Sequence, residues 1–142
     1  MRIADLLAQK GNAVLTVTPD DPVASLLAVL AERNVGAAVV CEDDRLAGIV
    51  SERDVVRHLH RRGASLLDAP ISEIMTTVVA TCRATDDLQT LSRTMTDKRI
   101  RHVPVVDDAG KLTGIVSIGD VVKSRIDQLE EHRSQLEAYI SG

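Results

Sequence analysis

Residues 48–56 read "GIVSERDVV", and residues 114–122 read "GIVSIGDVV". Seven of the nine letters agree, and the two that differ are adjacent: Glu52-Arg53 in the first copy, Ile118-Gly119 in the second. A repeat this close marks an internal duplication, and its extent decides the fold. From Ala13, "AVLTVTPDDPVASLLAVLAERNVGAAVVCEDDRLAGIVSERDVVRHL" runs beside "VVATCRATDDLQTLSRTMTDKRIRHVPVVDDAGKLTGIVSIGDVVKSR" from Val78. Leu26 falls on Leu91, Leu30 on Met95, Val35 on Ile100 and Val40 on Val105. One residue is added in the second turn, "DDAGKL" against "EDDRL". The lead-ins match too, "IADLL" at Ile3 with "ISEIM" at Ile71.

Each copy has the same order of elements. "VLTV" is a short apolar run before Pro19-Asp20-Asp21-Pro22, a turn and helix-start signal. Val23, Leu26, Leu27 and Leu30 then recur at helical spacing. "GAAVVC" reads as a buried strand, "EDD" as a hairpin turn and "LAGIV" as the next strand. Ser51 opens a second helix, with Val55, Val56 and Leu59 on one face. Copy two repeats this with Leu88, Leu91 and Met95, then "HVPVV", "DDAGK", "LTGIV" and a helix from Ser117. The unit is β-α-β-β-α and the fold class α+β. One unit alone has too little apolar surface to close a core, so two copies pack sheet to sheet with helices outside.

Copy one spans 1–62, a linker 63–70, copy two 71–126 and a helical extension 127–142. In the linker, "ISEIM" is read as one helical turn. The tail from Asp120 to Ile140 carries a loose apolar stripe: Val121, Val122, Arg125, Ile126, Leu129, Leu136, Tyr139 and Ile140. It outruns the matching helix of copy one, so a partner subunit is expected to cover it and the protein to be a homodimer.

The bulk numbers exclude several function classes. Of 142 residues, 44% are apolar and 27% charged, ordinary for a soluble domain. The net charge of −4, with no Phe, no Trp and one Tyr, argues against nucleic-acid binding. No apolar run is long enough for a membrane span. "MRIADLLAQKGNAVL" lacks the features of a signal peptide, so the expected compartment is the cytoplasm. Cys41 and Cys82 have no ligand-spaced neighbours and read as buried or half-buried thiols. His58 and His60 point to different helix faces and form no metal pair; His132 lies in the charged tail. No P-loop, G-x-G-x-x-G, G-x-S-x-G or Ser-x-x-Lys is present, so no catalytic role and no catalytic cofactor are expected.

The repeated Ser-x-x-Asp is a capping box at a helix start. The same position suits a ribonucleotide. A helix N-terminus offers free amides and partial positive charge to a phosphate. The serine hydroxyl adds a donor, and a carboxylate one turn on can accept from both hydroxyls of a ribose. Gly48 and Gly114 let a backbone or a base approach closely. Without aromatics, a base would lie between aliphatic side chains such as Ile49, Ile115, Val35 and Ile100.

With "TVTPDDPVASLLAVLAERNVGAAVV", "RIRHVPVVDDAGKLTGIVS" and the two "GIVSxxD" segments, nearly the whole chain resembles a tandem pair of CBS domains. This is the Bateman module, in its stand-alone bacterial form. The resemblance implies a pseudo-twofold pair with two clefts and an adenine nucleotide (AMP, ATP or NAD(H)) as regulatory ligand. It implies Asp54 and Asp120 at the riboses, Ser51 and Ser117 at phosphates, and Ile49 and Ile115 beside the bases. It also implies that each cleft borrows residues from the other copy. These are Leu15, Val35, Gly36 and Ala37 of copy one, and Ala80, Ile100, Arg101 and His102 of copy two.

The copies diverge at these positions. Junction one, "VGAAVV", is small and uncharged, whereas junction two, "IRHVPV", carries Arg101 and His102. Arg53 faces Gly119 in the repeated tetrad. Arg53, Arg101, His102 and Arg57 are expected around one cleft, suited to a polyphosphate or dinucleotide. The other cleft, with Gly119, would suit a monophosphate. Two readings remain open at this point. One is a nucleotide sensor acting on conformation or on an unidentified protein target. The other is a dimerisation module that has kept the fold without a ligand.

Overall fold

The computed structural model describes residues 1–77 and 80–141. Helix α1 (Ile3–Lys10) leads into β1 (Thr16–Val17), α2 (Val23–Arg33), β2 (Ala37–Glu42), β3 (Arg45–Ser51) and α3 (Glu52–Arg62). Two 3-10 turns, Gly63–Asp68 and Ile71–Glu73, cross to copy two. There α4 (Leu88–Lys98), β4 (His102–Val106), β5 (Leu112–Ser117) and α5 (Ile118–Ser141) repeat the order.

The equivalent helices α2 and α4 start differently but bury and end alike. Pro22 holds the N-cap position of α2 with no side-chain hydrogen bond, whereas Asp87 caps α4 by accepting the Thr90 amide at 3.0 Å. Val23, Leu26 and Leu30 are buried on α2, and Leu88, Leu91 and Met95 on α4. Both helices stop on a left-handed residue, Asn34 at φ 53° and Arg99 at φ 54°. The β2–β3 hairpin turns on Asp43 and Asp44, at φ 52° and 64°, the two-residue geometry that suits strand twist.

β2 lies between β1 and β3, parallel to β1 and antiparallel to β3. In copy two β4 pairs antiparallel with β5. Val17 pairs in parallel with Val40, and Cys82 pairs in parallel with Val105, the equivalent position. The first strand expected in copy two falls on residues 79–82; Val79 lies outside the described residues, and of the rest only Cys82 pairs as a bridge. Cys82 thus does the packing work of Val17. Burial, then the charge of Asp86, pushes its thiol up to about 12. Cys41 is half-buried and also raised, by burial and then Asp44.

Neither copy closes its core alone, as the sequence indicates. There are two apolar clusters, one per copy, and each is closed by the lead-in of the other copy. Ile3, Leu6 and Leu7 of α1 pack with Leu88, Leu91, Met95 and Val103 of copy two. Ile71 and Ile74 pack with Val23, Leu26 and Val50 of copy one. The backbone follows: Ile3 N–H donates to Asp86 O at 3.0 Å, and Ile71 N–H donates to Asp21 O at 2.9 Å. Neither unit covers its own apolar face, so the exchange makes the two copies mutually dependent.

Gly48 and Gly114 sit where the exchanged segments cross. A Cβ at Gly48 would lie 2.5 Å from the Thr76 carbonyl oxygen; one at Gly114 would lie 3.0 Å from Leu7 Cδ2. The close approach expected at these glycines is made by the other copy's lead-in.

α5 runs through the expected tail. Val121 is buried against copy two, but Val122, Ile126, Leu129, Leu136, Tyr139 and Ile140 are all about half or more exposed. No described helix is long and apolar enough to cross a membrane.

Candidate functional site

The two tetrads fold into matching helix starts. Asp54 Oδ2 accepts the Ser51 amide at 2.8 Å, and the Asp54 amide donates back to Ser51 Oγ at 3.4 Å. Asp120 Oδ2 accepts the Ser117 amide at 2.9 Å, and its amide donates to Ser117 Oγ at 3.1 Å. Both are capping boxes, as the spacing indicated. The first helical amide is tied back in each copy: Glu52 N–H to Gly36 O at 2.9 Å, Ile118 N–H to Arg101 O at 2.8 Å. Strand, cap and junction therefore fix each serine-aspartate pair at a helix start, where the dipole is positive.

The first cleft opens into a cavity of about 670 Å³. Copy one contributes Gly36, Ile49, Ser51, Arg53, Asp54 and Arg57; copy two contributes Ala80, Ile100, Arg101 and His102. The cations expected to gather around one cleft do so here. Glu52, Val56, Thr76 and Arg99 complete the lining and are not among the ligand-contacting residues expected from sequence. Arg99 is notable because an arginine in the left-handed region is strained. The equivalent helix end in copy one uses Asn34, a residue that tolerates it. The strained end places a further cation at the cavity. Thr76 is fixed by a reciprocal backbone pair with Ile49, N–H to O at 3.0 and 2.9 Å.

Gly36 differs from its expected place. It lines the cleft of Asp54, in its own copy, because its carbonyl holds the first amide of α3. Ala37 is buried and paired with Ser51 in the sheet, Leu15 packs against the first core cluster, and Val35 is exposed at 42%.

The expected second cleft, around Ser117, Asp120, Ile115 and Gly119, holds a residue that sequence reasoning missed. Lys10, the last residue of α1, reaches across the repeat interface. Its ammonium donates to Asp120 Oδ2 at 2.5 Å and to the Ile115 carbonyl at 2.7 Å. Both partners are about three-quarters buried at the side chain. Burial alone would raise the Asp120 carboxyl. The hydrogen bonds from Lys10 and Ser117 outweigh it and hold the carboxyl below its ordinary value. Among the described residues, no cation pairs with Asp54 in the same way.

His102 lines the first cleft. Burial lowers its pKa first; Asp120 and Glu52 pull it up, and Arg101 and Lys10 push it down. It therefore feels an acid from each cleft.

Comparison with known proteins finds the same duplication. The CBS domain profile matches residues 5–61 and again 71–127. The chain belongs to the CBS domain family. It is 38% identical to a mitochondrial CBS domain-containing protein of Arabidopsis thaliana, over 99% of this chain and 72% of that protein. A CBS-domain protein of Agrobacterium tumefaciens superposes with TM-score 0.84 at 40% identity, covering 88% of this chain and 99% of that one. A CBS domain protein of Pyrobaculum aerophilum, solved with AMP, superposes with TM-score 0.75 at 30% identity, covering 84% and 89%. The fold is thus the α+β CBS pair with pseudo-twofold symmetry and an extended C-terminal helix.

Proposed function

We propose that this CBS pair is a regulatory module that binds adenine nucleotides in its two inter-repeat clefts. The observation that carries the reading is the first cleft. A helix start, a serine and a carboxylate that pairs with no cation among the described residues share one cavity with Arg53, Arg57, Arg99, Arg101 and His102. Asp54 suits the vicinal hydroxyls of a ribose, and the cations suit phosphate oxygens. Ile49, Val56 and Ile100 offer aliphatic walls to a base. The AMP held by the Pyrobaculum aerophilum relative supports the same ligand class.

The clefts are unequal in charge. The first takes a ligand with several phosphates, ATP or an NAD(H)-type dinucleotide; the second takes a monophosphate. Occupancy acts by binding two states of the chain differently, which shifts conformation or presents a surface to a protein target. The exposed stripe Val122, Ile126, Leu129, Leu136 and Ile140 recurs at alternating four- and three-residue steps, broken once at Arg133. A second copy of α5 would cover it, making a homodimer.

Thermal melting with AMP, ATP, NAD and NADH tests the reading. A native-state site raises the melting temperature by mass action, by roughly 5–10 °C at a ligand excess of about a hundredfold over Kd. No shift with any of the four contradicts it.

A further inference from the structure

The second cleft differs from the first by more than the letters of its tetrad. In cleft one the Ile49 carbonyl is satisfied by a backbone amide, that of Thr76 in the lead-in of copy two. In cleft two the equivalent carbonyl, that of Ile115, is satisfied by the Lys10 ammonium from the lead-in of copy one. A side-chain cation has replaced a main-chain N–H. The replacement traces to length: Ile3 and Ala13 stand ten positions apart, whereas Ile71 and Val78 stand seven apart. The longer lead-in builds the full helix α1, while its counterpart is the single turn Ile71–Glu73. Lys10 is the last residue of that helix.

The placement has a chemical consequence. An ammonium on Ile115 O also lands on Asp120, the carboxylate that matches the ribose position of cleft one. A ligand whose hydroxyls engage Asp120 must take over some or all of what Lys10 provides. The lysine stem is flexible, so its ammonium can leave Asp120 if another anion receives it. A 5′-phosphate supplies that anion. A nucleoside without one leaves the largely buried ammonium with only a carbonyl.

We propose that Lys10 sets the ligand preference of the second cleft, holding Asp120 until a ligand brings hydroxyls for the carboxylate and a phosphate for the ammonium. The inference rests on the nucleotide reading above and adds a selection rule to one cleft: phosphorylated adenosine over free adenosine. It also makes α1 a reporter of occupancy, because the residue released by the ligand ends the helix that closes the core of copy two.

The test is calorimetric titration of AMP and adenosine into the Asp54→Ala protein, in which the first cleft is disabled. The intact lysine should favour AMP. Lys10→Met should bind adenosine more tightly and AMP more weakly, so that the AMP-to-adenosine ratio falls at least about tenfold. Lys10→Gln, which keeps a donor for the Ile115 carbonyl, covers the case of a misfolded Met variant and should behave alike. Lys10→Arg should restore the preference for AMP. Equal changes in both affinities, or none, would overturn the proposal. So would the absence of any ligand in the Asp54→Ala protein when Asp120→Ala still binds AMP; that result leaves the first cleft intact. Loss of AMP binding from the wild-type protein as well would overturn the nucleotide reading itself.

Discussion

Asp54 Oδ2 and Asp120 Oδ2 each accept the amide of the serine three residues back, at 2.8 and 2.9 Å, yet only Asp120 also carries an ammonium. The duplicated tetrad supplies the likeness. The unlike lead-ins supply the difference, because each lead-in crosses to the other copy and meets the other copy's cleft.

The crossing points should be unequally tolerant of a methyl group. At Gly48 the added Cβ meets a backbone oxygen at 2.5 Å, and Thr76 cannot retreat without breaking its pair with Ile49. At Gly114 it meets Leu7 side-chain carbons at 3.0 and 3.1 Å, which can rotate away. Gly48→Ala should therefore cost about 2–4 kcal/mol and Gly114→Ala about 1 kcal/mol or less. Urea unfolding of the two variants measures the difference, and a larger loss at Gly114 would reverse the assignment.

His102 should make both stability and ligand binding depend on pH. Its folded pKa lies below its ordinary 6.5, chiefly through burial. The unfolded chain then binds the proton more readily. This contribution to stability is present above the ordinary value and is lost as pH falls through it toward the folded value. Phosphates in the first cleft would favour the charged imidazole against Arg101 and Lys10. ATP affinity should therefore rise between pH 8 and pH 6 more steeply in the wild type than in His102→Gln. Parallel slopes for the two proteins, in both unfolding and binding, would remove His102 from the account.

The exposed stripe on α5 predicts self-association. Light scattering should give twice the chain mass, and Leu129→Glu should give the monomer, since a carboxylate in a packed helix seam is desolvated without a partner. Leu129 is 54% exposed in the single chain, so the substitution should leave its unfolding free energy within about 0.5 kcal/mol when measured on the monomer. A wild-type monomer at micromolar concentration would contradict this prediction.

Much of the fold was legible because it was written twice. Val23, Leu26 and Leu30 against Leu88, Leu91 and Met95 announced the equivalent helices α2 and α4, and Ser51 and Ser117 announced the starts of α3 and α5. The gathering of Arg53, Arg57, Arg101 and His102 followed from the family resemblance, which implies that each cleft borrows residues from the other copy. The exchange of Ile3, Leu6 and Leu7 for Ile71 and Ile74 was not legible. Apolar periodicity says that a face is buried, not which copy buries it. Gly36 was assigned to the wrong cleft for a related reason: which side of a junction faces which cleft depends on a backbone bond, Glu52 N–H to Gly36 O. Lys10 was missed because it is one cation at the end of a short amphipathic helix, ordinary by local pattern. The longer lead-in of copy one was the available signal.

The measurement closest to the central claim is calorimetric titration of AMP into the wild-type protein, Asp54→Ala and Asp120→Ala. The account predicts binding to the wild type, with affinity at the first cleft reduced at least about tenfold by Asp54→Ala and at the second by Asp120→Ala. Wild-type affinity and stoichiometry in both folded variants would contradict it.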